Sequence, residues 1–264
     1  MIRVGGFIVC LAIVAALAGP WLWPDDPSIQ ELARRLEAPS LSHPLGLDEL
    51  GRDILARLLQ GARISLIVGL AVVSVSSTVG MLFGSMAGYF GGRVDDVISR
   101  VIDILMAFPG ILLAIALVAV LGPNLVNVVL ALSIIGWVGY ARLVRGQSLR
   151  AREFEFVQAA RASGASAARI VLRHILPTAI PAVVVQATLG MAGAIIAEAA
   201  LSFLGLGVQP PTPSWGTMLD AGRVHLFDAP HLTIFPGLAI ATLVLGFNFL
   251  GDGLRDRVDP KMVR

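Results

Sequence analysis

Few residue types in this 264-residue chain could support catalysis or cofactor binding. The four histidines and the single cysteine, Cys10, lack the spacing of a metal site. The only lysine, Lys261, follows no glycine-rich loop of the kind that cradles nucleotide phosphates, and no G-x-S-x-G nucleophile elbow occurs. The sequence therefore predicts a chain that is not an enzyme, holds no metal or cofactor and does not itself hydrolyse ATP.

Glu198 is an ionisable residue inside an apolar run, where a charge is costly and often functional. The segment Leu204–Gly207 follows closely, which places Glu198 near the outer end of its run. Two roles stay open: structural hydrogen bonding, or a part in a pathway or gate together with Ser202 and Trp215. A relay for ion-coupled transport would need more such residues, and only Asp103 adds to the set.

The elements that must position these residues are membrane spans. Hydrophobic residues make up 56% of the chain and charged residues 14%, against roughly 45–50% and about 25% in soluble domains. Six stretches are long and apolar enough to cross a bilayer as helices: 4–23, 64–89, 101–121, 124–141, 178–204 and 231–250. The sequence predicts an all-α polytopic membrane protein with about six transmembrane helices.

The first span has a rival interpretation. Arg3, the apolar run behind it and the triplet Ala16–Ala18 are also typical of a cleavable signal peptide. The run continues through Trp21 and Trp23, which suit the interfacial end of a retained helix. We therefore expect the segment to be kept as a span.

Basic residues are distributed unequally between the two sides of these spans. Six spans place both termini on one side, which then carries fourteen of the 20 basic residues. Positive charge concentrates in cytoplasmic loops, so both termini and the loop between spans four and five are predicted to be cytoplasmic. The fourteen are Arg3, Arg93, Arg100, Arg142, Arg145, Arg150, Arg152, Arg161, Arg169, Arg173, Arg255, Arg257, Lys261 and Arg264.

Small residues form a stripe on the second span. Ser76, Gly80, Gly84 and Gly88 are each four positions apart, so they share one helical face. Such a face lets another helix approach closely. Helix packing inside the subunit is the favoured role, and lining a pore is the alternative.

The cytoplasmic loop 150–177 has a definite pattern. Apolar spacing predicts a short helix over 153–162, and Gly164 suits the left-handed position after a helix end. Ser166 can cap a second helix over 167–174, on which Arg169 and Arg173 share a face. The sequence therefore predicts a helix–glycine turn–helix elbow with a basic surface of small residues.

This elbow resembles the EAA motif of ABC importer permeases. The matching residues are Gln158, Ala159, Ala160, Gly164, Leu176 and Pro177. In that family the segment docks into a groove on the ATPase subunit. Gln158 replaces the usual glutamate and His174 the usual isoleucine, so an ion pair at position 158 is not carried over.

Three further stretches resemble the C-type permeases of dipeptide, oligopeptide and nickel importers. They run from His43 to Leu66, from Gly91 to Pro109, and from Glu198 to Gly216. The resemblance implies a MetI-like permease core over 64–264, preceded by an N-terminal helix and an outer segment within 1–63. It also implies a bacterial inner-membrane location.

The resemblance further implies a set of partners. They are a second, B-type permease, two ATP-binding subunits that use ATP and Mg²⁺, an extracytoplasmic substrate-binding protein and membrane lipid, with no nucleic acid. Peptides are the expected cargo, and nickel chelates or other small solutes are alternatives. A secondary transporter that works without ATPases is the alternative from another class.

The outer segment between the first two spans carries two structural expectations. Ser28 and Glu31 have capping-box spacing, which predicts a short amphipathic helix with Ile29, Leu32 and Leu36 on one face. Further on, Arg52 and Asp53 are expected to form a local ion pair.

Overall fold

The computed structural model describes residues 1–23 and 25–258, and this part of the chain is built from α-helices without strands. Lys261 and Arg264, which were counted for sidedness, lie outside the described residues. The helices are α1 Ile2–Leu22, α2 Ile54–Phe90, α3 Gly92–Met106, α4 Gly110–Leu121, α5 Leu125–Ala151, α6 Glu155–Ala162, α7 Ala167–Ile170, α8 Leu176–Phe203, α9 Trp215–Gly222 and α10 His231–Val258.

The predicted all-α polytopic fold is confirmed. Five helices in the described part are long and apolar enough to cross a membrane: α1, α2, α5, α10 and the continuous run Ala167–Phe203. The predicted boundary between 63 and 64 falls inside α2, because the Asp53 side chain accepts from the Ala56 N–H and starts that helix earlier.

The third predicted span, 101–121, is wrong as a single helix. α3 and α4 meet at an angle of 85°, so they form at most one broken span. Pro109 explains the break, because it has no backbone N–H and its ring disfavours helical geometry at Phe108. α3 is amphipathic, and it buries Ile102 in a small cluster with Val138 and Ala141 of α5.

The small-residue stripe of α2 lies against α5. A Cβ atom added to Gly80 would come within 2.8 Å of the Trp137 carbonyl oxygen, and one added to Gly88 within 2.7 Å of the Arg145 carbonyl oxygen. Only glycine permits this backbone separation. The stripe therefore sets how closely α2 and α5 approach each other.

The predicted amphipathic helix in the outer segment is wrong. Only a single 3₁₀ turn, Leu32–Arg34, forms there. The Ser28 N–H bonds to the Asp26 carboxylate at 2.8 Å, so Asp26 caps a turn where Ser28 was expected to begin a helix. Arg34 binds Glu37 at 2.7 Å, and its guanidinium holds the pKa of the Glu37 carboxyl below its usual range.

The predicted pair between Arg52 and Asp53 is also wrong. Arg52 Nε donates to Asp48 Oδ2 at 2.7 Å, whereas Asp53 faces the other way. The Asp53 carboxylate caps α2 and lies 2.8 Å from His43 Nδ1. Because the Asp53 side chain caps α2, it does not pair with Arg52, its neighbour in the sequence.

Candidate functional site: the cytoplasmic elbow and the buried Glu198

The elbow forms around Gly164 as the sequence indicates. α6 ends at Ala162, and Gly164 takes a φ of +77°, in the left-handed region that suits glycine. The Ser166 hydroxyl accepts from the Arg169 N–H at 3.4 Å and caps α7. A Cβ atom on Gly164 would meet no atom within 4 Å, so the tip of the elbow is open.

The second elbow helix does not stop at 174. α7 continues through the π-turn Val171–Ile175 into α8, which makes one helical run, Ala167–Phe203, of 37 residues. At a rise of 1.5 Å per residue this run is about 55 Å long. One uninterrupted helical run therefore joins the elbow to a membrane span.

A small apolar cluster fixes the elbow to the membrane helices. Val157 of α6 packs with Ala151, Ile170 and Ile175, and each is at most 1% exposed. Arg161 adds a contact over the ring of Tyr89, 5.5 Å from its centroid. α6 therefore has one buried face, and its other faces are open.

The exposed faces of the elbow carry most of the predicted docking residues. Ala160 and Leu176 are half-buried, whereas the other six are exposed: Gln158, Ala159, Gly164, Arg169, Arg173 and Pro177. The sequence interpretation missed two exposed aromatic side chains, Phe154 and Phe156, whose rings lie 5.6 Å apart. Their alternation with Glu153 and Glu155 was the signal for an exposed apolar edge beside the basic surface.

A second contact near the elbow joins α3 to α5. Arg145 Nη2 donates to Asp95 Oδ2 at 2.7 Å, and Arg145 Nε also binds Asp95 Oδ1. The two residues are 50 positions apart, and no local sequence pattern indicates that they pair. This bidentate pair anchors the α3 end of the bent α3–α4 element.

Glu198 lies inside the protein near the opposite end of the long helical run. It is 0% exposed, and its Oε1 accepts from the Ser202 hydroxyl at 2.7 Å. Ser65 of α2 donates to its Oε2 at 3.5 Å. Within the described part of the chain, no cation is paired with this carboxyl group, so hydroxyl groups are its polar partners.

Trp215 lies in the same region but does not hydrogen-bond to Glu198. Its indole Nε1 donates to the Leu58 carbonyl oxygen at 2.9 Å, and its ring packs against Gly61 of α2. Ser214 caps α9 through Thr217. Glu198 and Trp215 thus tie α8 and α9 to the same stretch of α2.

An apolar cavity of about 280 Å³ lies between α2, α4, α5 and α8. Ser76, at one end of the small-residue stripe, lines it, and its hydroxyl has no hydrogen-bond partner among the described residues. The three glycines of the stripe face α5 instead. The stripe therefore divides into one cavity-lining residue and three packing residues.

A bundle of long apolar helices, with an exposed elbow joined through one helix to a buried carboxyl group, defines a polytopic membrane protein. The comparison with protein families agrees with this class. The family of binding-protein-dependent transport system inner membrane components matches residues 80–264, and the chain belongs to it.

Proteins similar to this chain are named as transport system permeases. The chain is 46% identical over 259 residues to the dipeptide transport system permease protein DppC of Alkalihalophilus pseudofirmus, covering 98% of this chain and 85% of that protein. It is 47% identical over 258 residues to the glutathione transport system permease protein GsiD of Pectobacterium atrosepticum, with 97% and 86% covered. The predicted resemblance to C-type permeases is confirmed.

Solved structures agree on the fold. An inward-facing form of the MetNI methionine ABC transporter matches with a TM-score of 0.61 at 19% identity, covering 76% of this chain and 96% of that one. An amino acid ABC transporter matches with a TM-score of 0.57 at 17% identity, covering 76% and 94%. The chain therefore has the predicted MetI-like fold of ABC importer permeases.

Proposed function

We propose that this chain is the C-type permease of an ATP-driven importer for dipeptides or similarly small peptides. Two relatives that are 46–47% identical over nearly the whole chain are named for dipeptide and glutathione transport, and both of these cargoes are short peptides. Nickel chelates remain the alternative cargo within the same family.

The elbow is the proposed docking site for the ATPase subunits. Its open tip at Gly164, the exposed Arg169 and Arg173, and the apolar edge at Phe156 offer shape, charge and apolar area together. ATP and Mg²⁺ are used by the two partner ATPases, and this chain performs no chemistry. The single observation that carries the proposal is the continuous helix from the elbow to Glu198, since it gives ATPase movement a route into the membrane.

The proposed mechanism is alternating access around a pathway shared with a second, B-type permease. Closure of the ATPases pushes the elbow, and the 37-residue helical run carries that displacement to the Glu198 end. An extracytoplasmic binding protein delivers the peptide to that end. The arginine distribution supports both termini and the elbow being cytoplasmic in a bacterial inner membrane.

Affinity purification in mild detergent, with mass spectrometry of the accompanying chains, tests the assembly. The proposal expects a second permease and P-loop ATPases in near-stoichiometric amounts. Reconstituted vesicles should then take up peptide only when ATP is supplied to the elbow side. A chain that stays alone after crosslinking in the membrane, or uptake that survives ATP depletion, would instead support the secondary transporter.

A further inference from the structure

A cavity of about 520 Å³, with both apolar and charged side chains on its walls, lies at the end of the molecule opposite the elbow. It is enclosed by the outer segment, the start of α2, the chain that follows α8, and α9. Its volume falls within the range of roughly 300–1,000 Å³ that small-molecule sites occupy. Side chains that line it include Glu49, Arg52, Arg57, Ser202, Gln209 and Asp220.

The two arginines of this cavity are almost completely buried. Arg52 is 8% exposed and Arg57 is 6% exposed. Both share one carboxylate oxygen, Asp48 Oδ2, which lies 2.7 Å from Arg52 Nε and 3.3 Å from Arg57 Nε. Together with Glu49, which lies 3.0 Å from Arg52 Nη2, Asp48 balances the charge of the two buried arginines.

Part of each guanidinium group remains available. Arg52 Nη2 binds Glu49 at 3.0 Å, and Arg57 Nη1 donates to the Pro27 carbonyl oxygen at 3.3 Å. Arg52 Nη1 and Arg57 Nη2 make no hydrogen bond to any residue in 1–23 or 25–258. A carboxylate is the ligand group that a pair of guanidinium nitrogens recognises best.

Acidic groups line the same cavity. Asp220 on α9 is partly exposed, and its Oδ1 lies 2.9 Å from Arg223 Nε, whose side chain is well exposed and does not line the cavity. Glu49 uses Oε1 for Arg52, whereas its Oε2 has no hydrogen-bond partner in the described part of the chain. The walls therefore carry charges of both signs, and such a cavity suits a ligand that also carries both signs.

We propose that this cavity is a peptide-end site that receives a short zwitterionic peptide before translocation. The carboxylate of the peptide binds the free guanidinium nitrogens of Arg52 and Arg57, and its ammonium group binds Asp220. The proposal rests on the peptide cargo proposed above. It adds that the permease itself selects its cargo, because the site recognises the two charged ends of the peptide and not the peptide's side chains.

The site also has a physical connection to the transport machinery. Ser202 lines the cavity, and its hydroxyl donates to the buried Glu198 at 2.7 Å. Ser202 belongs to the helical run that begins in the elbow. A bound peptide therefore contacts the far end of the element on which the ATPases act.

The test measures equilibrium binding of dialanine to the purified importer, with both permeases and both ATPases but without the binding protein. Free dialanine, its N-acetyl form and its C-terminal amide are compared. Because each charged contact is replaced by a neutral one, acetylation and amidation should each weaken binding by about tenfold. Equal binding of all three forms, or no binding of free dialanine, would overturn the proposal.

One variant assigns the ammonium contact without disturbing the buried arginines. Asp220→Asn should reduce the acetylation penalty towards onefold while leaving the amidation penalty near tenfold. Asp228→Asn is the matched control, since this exposed carboxylate lies on the same outer loop outside the cavity. An acetylation penalty that is unchanged in Asp220→Asn refutes the assignment.

The complete importer, with its binding protein, separates this proposal from the proposed function. If wild-type vesicles show no ATP-driven uptake of any peptide, the peptide cargo is wrong. If they import peptide but the binding-protein-free importer shows no end-group preference, only the cavity proposal is wrong.

Discussion

Gly164→Ala is the change that probes the elbow most directly. The φ of +77° at this residue costs about 1–2 kcal/mol for a residue with a Cβ atom. No neighbouring atom lies within 4 Å of that Cβ position, so the cost is confined to the backbone and adds no clash. A penalty of this size shifts the population of the folded elbow by roughly 5- to 30-fold.

The expected result is a loss of coupling without a loss of fold. Vesicles that contain the Gly164→Ala importer should take up several-fold less peptide per ATP hydrolysed, because fewer elbows are in the docking conformation. The melting temperature of the purified chain should change little, since the membrane helices carry the core. Uptake and ATP hydrolysis are measured on the same vesicles.

Two further variants make this experiment decisive. Gly164→Asn should retain more coupling than Gly164→Ala, because asparagine tolerates the left-handed region better. Gly146→Ala adds a methyl group into open space inside α5, where φ is helical, and should couple like the wild type. Wild-type coupling in Gly164→Ala, or an equal loss in Gly146→Ala, would refute the reasoning.

Three other predictions follow from the packing and the sidedness. The side chain in Glu198→Gln can still accept a hydroxyl hydrogen bond, so this variant should keep both stability and uptake. Glu198→Ala should lose about 1–3 kcal/mol in the free energy of unfolding. Loss of uptake by the glutamine variant with normal assembly would point to a gating role. Gly84→Val should destabilise the α2–α5 contact by about 1–3 kcal/mol in thermal unfolding. Gly139→Ala should not, because a Cβ atom at Gly139 would lie in open space. Equal melting temperatures of the two variants would contradict this prediction. In a cysteine-free background, a cysteine at Phe156 should react with impermeant thiol reagents only from the cytoplasm and one at Phe227 only from outside, and the reverse pattern would invert the topology.

Features set by local sequence were predictable. The apolar runs are long enough to identify the spans, and Gly164 and Ser166 mark the elbow because their conformational and capping preferences act within a few residues. Pro109 was an available signal for the α3–α4 break. Hydropathy alone predicted one continuous span across α3 and α4, because the apolar composition continues across the bend.

Contacts between distant parts of the chain were not predictable from the sequence. Asp95 and Arg145 are separated by 50 positions, and only the packing of α3 on α5 brings them together. In the outer segment, Asp48, Glu49 and Asp53 all lie near Arg52 in the sequence, so Arg52 had several possible ion-pair partners. Which carboxylates pair with Arg52 depends on which one caps α2.

The π-turn Val171–Ile175 sets the rotational phase between the two ends of the long helical run. Each α-helical residue turns the chain by about 100°, and a π-turn holds one residue more than an α-turn. Deleting a single residue there would restore an ordinary α-turn and leave the docking face of the elbow nearly aligned with Glu198. Deleting one from the α-helical stretch between Leu176 and Glu198 would rotate the two by about 100°, with every side chain at both ends unchanged. The π-turn is therefore the one stretch of the run in which a residue can be lost without turning the elbow relative to the membrane.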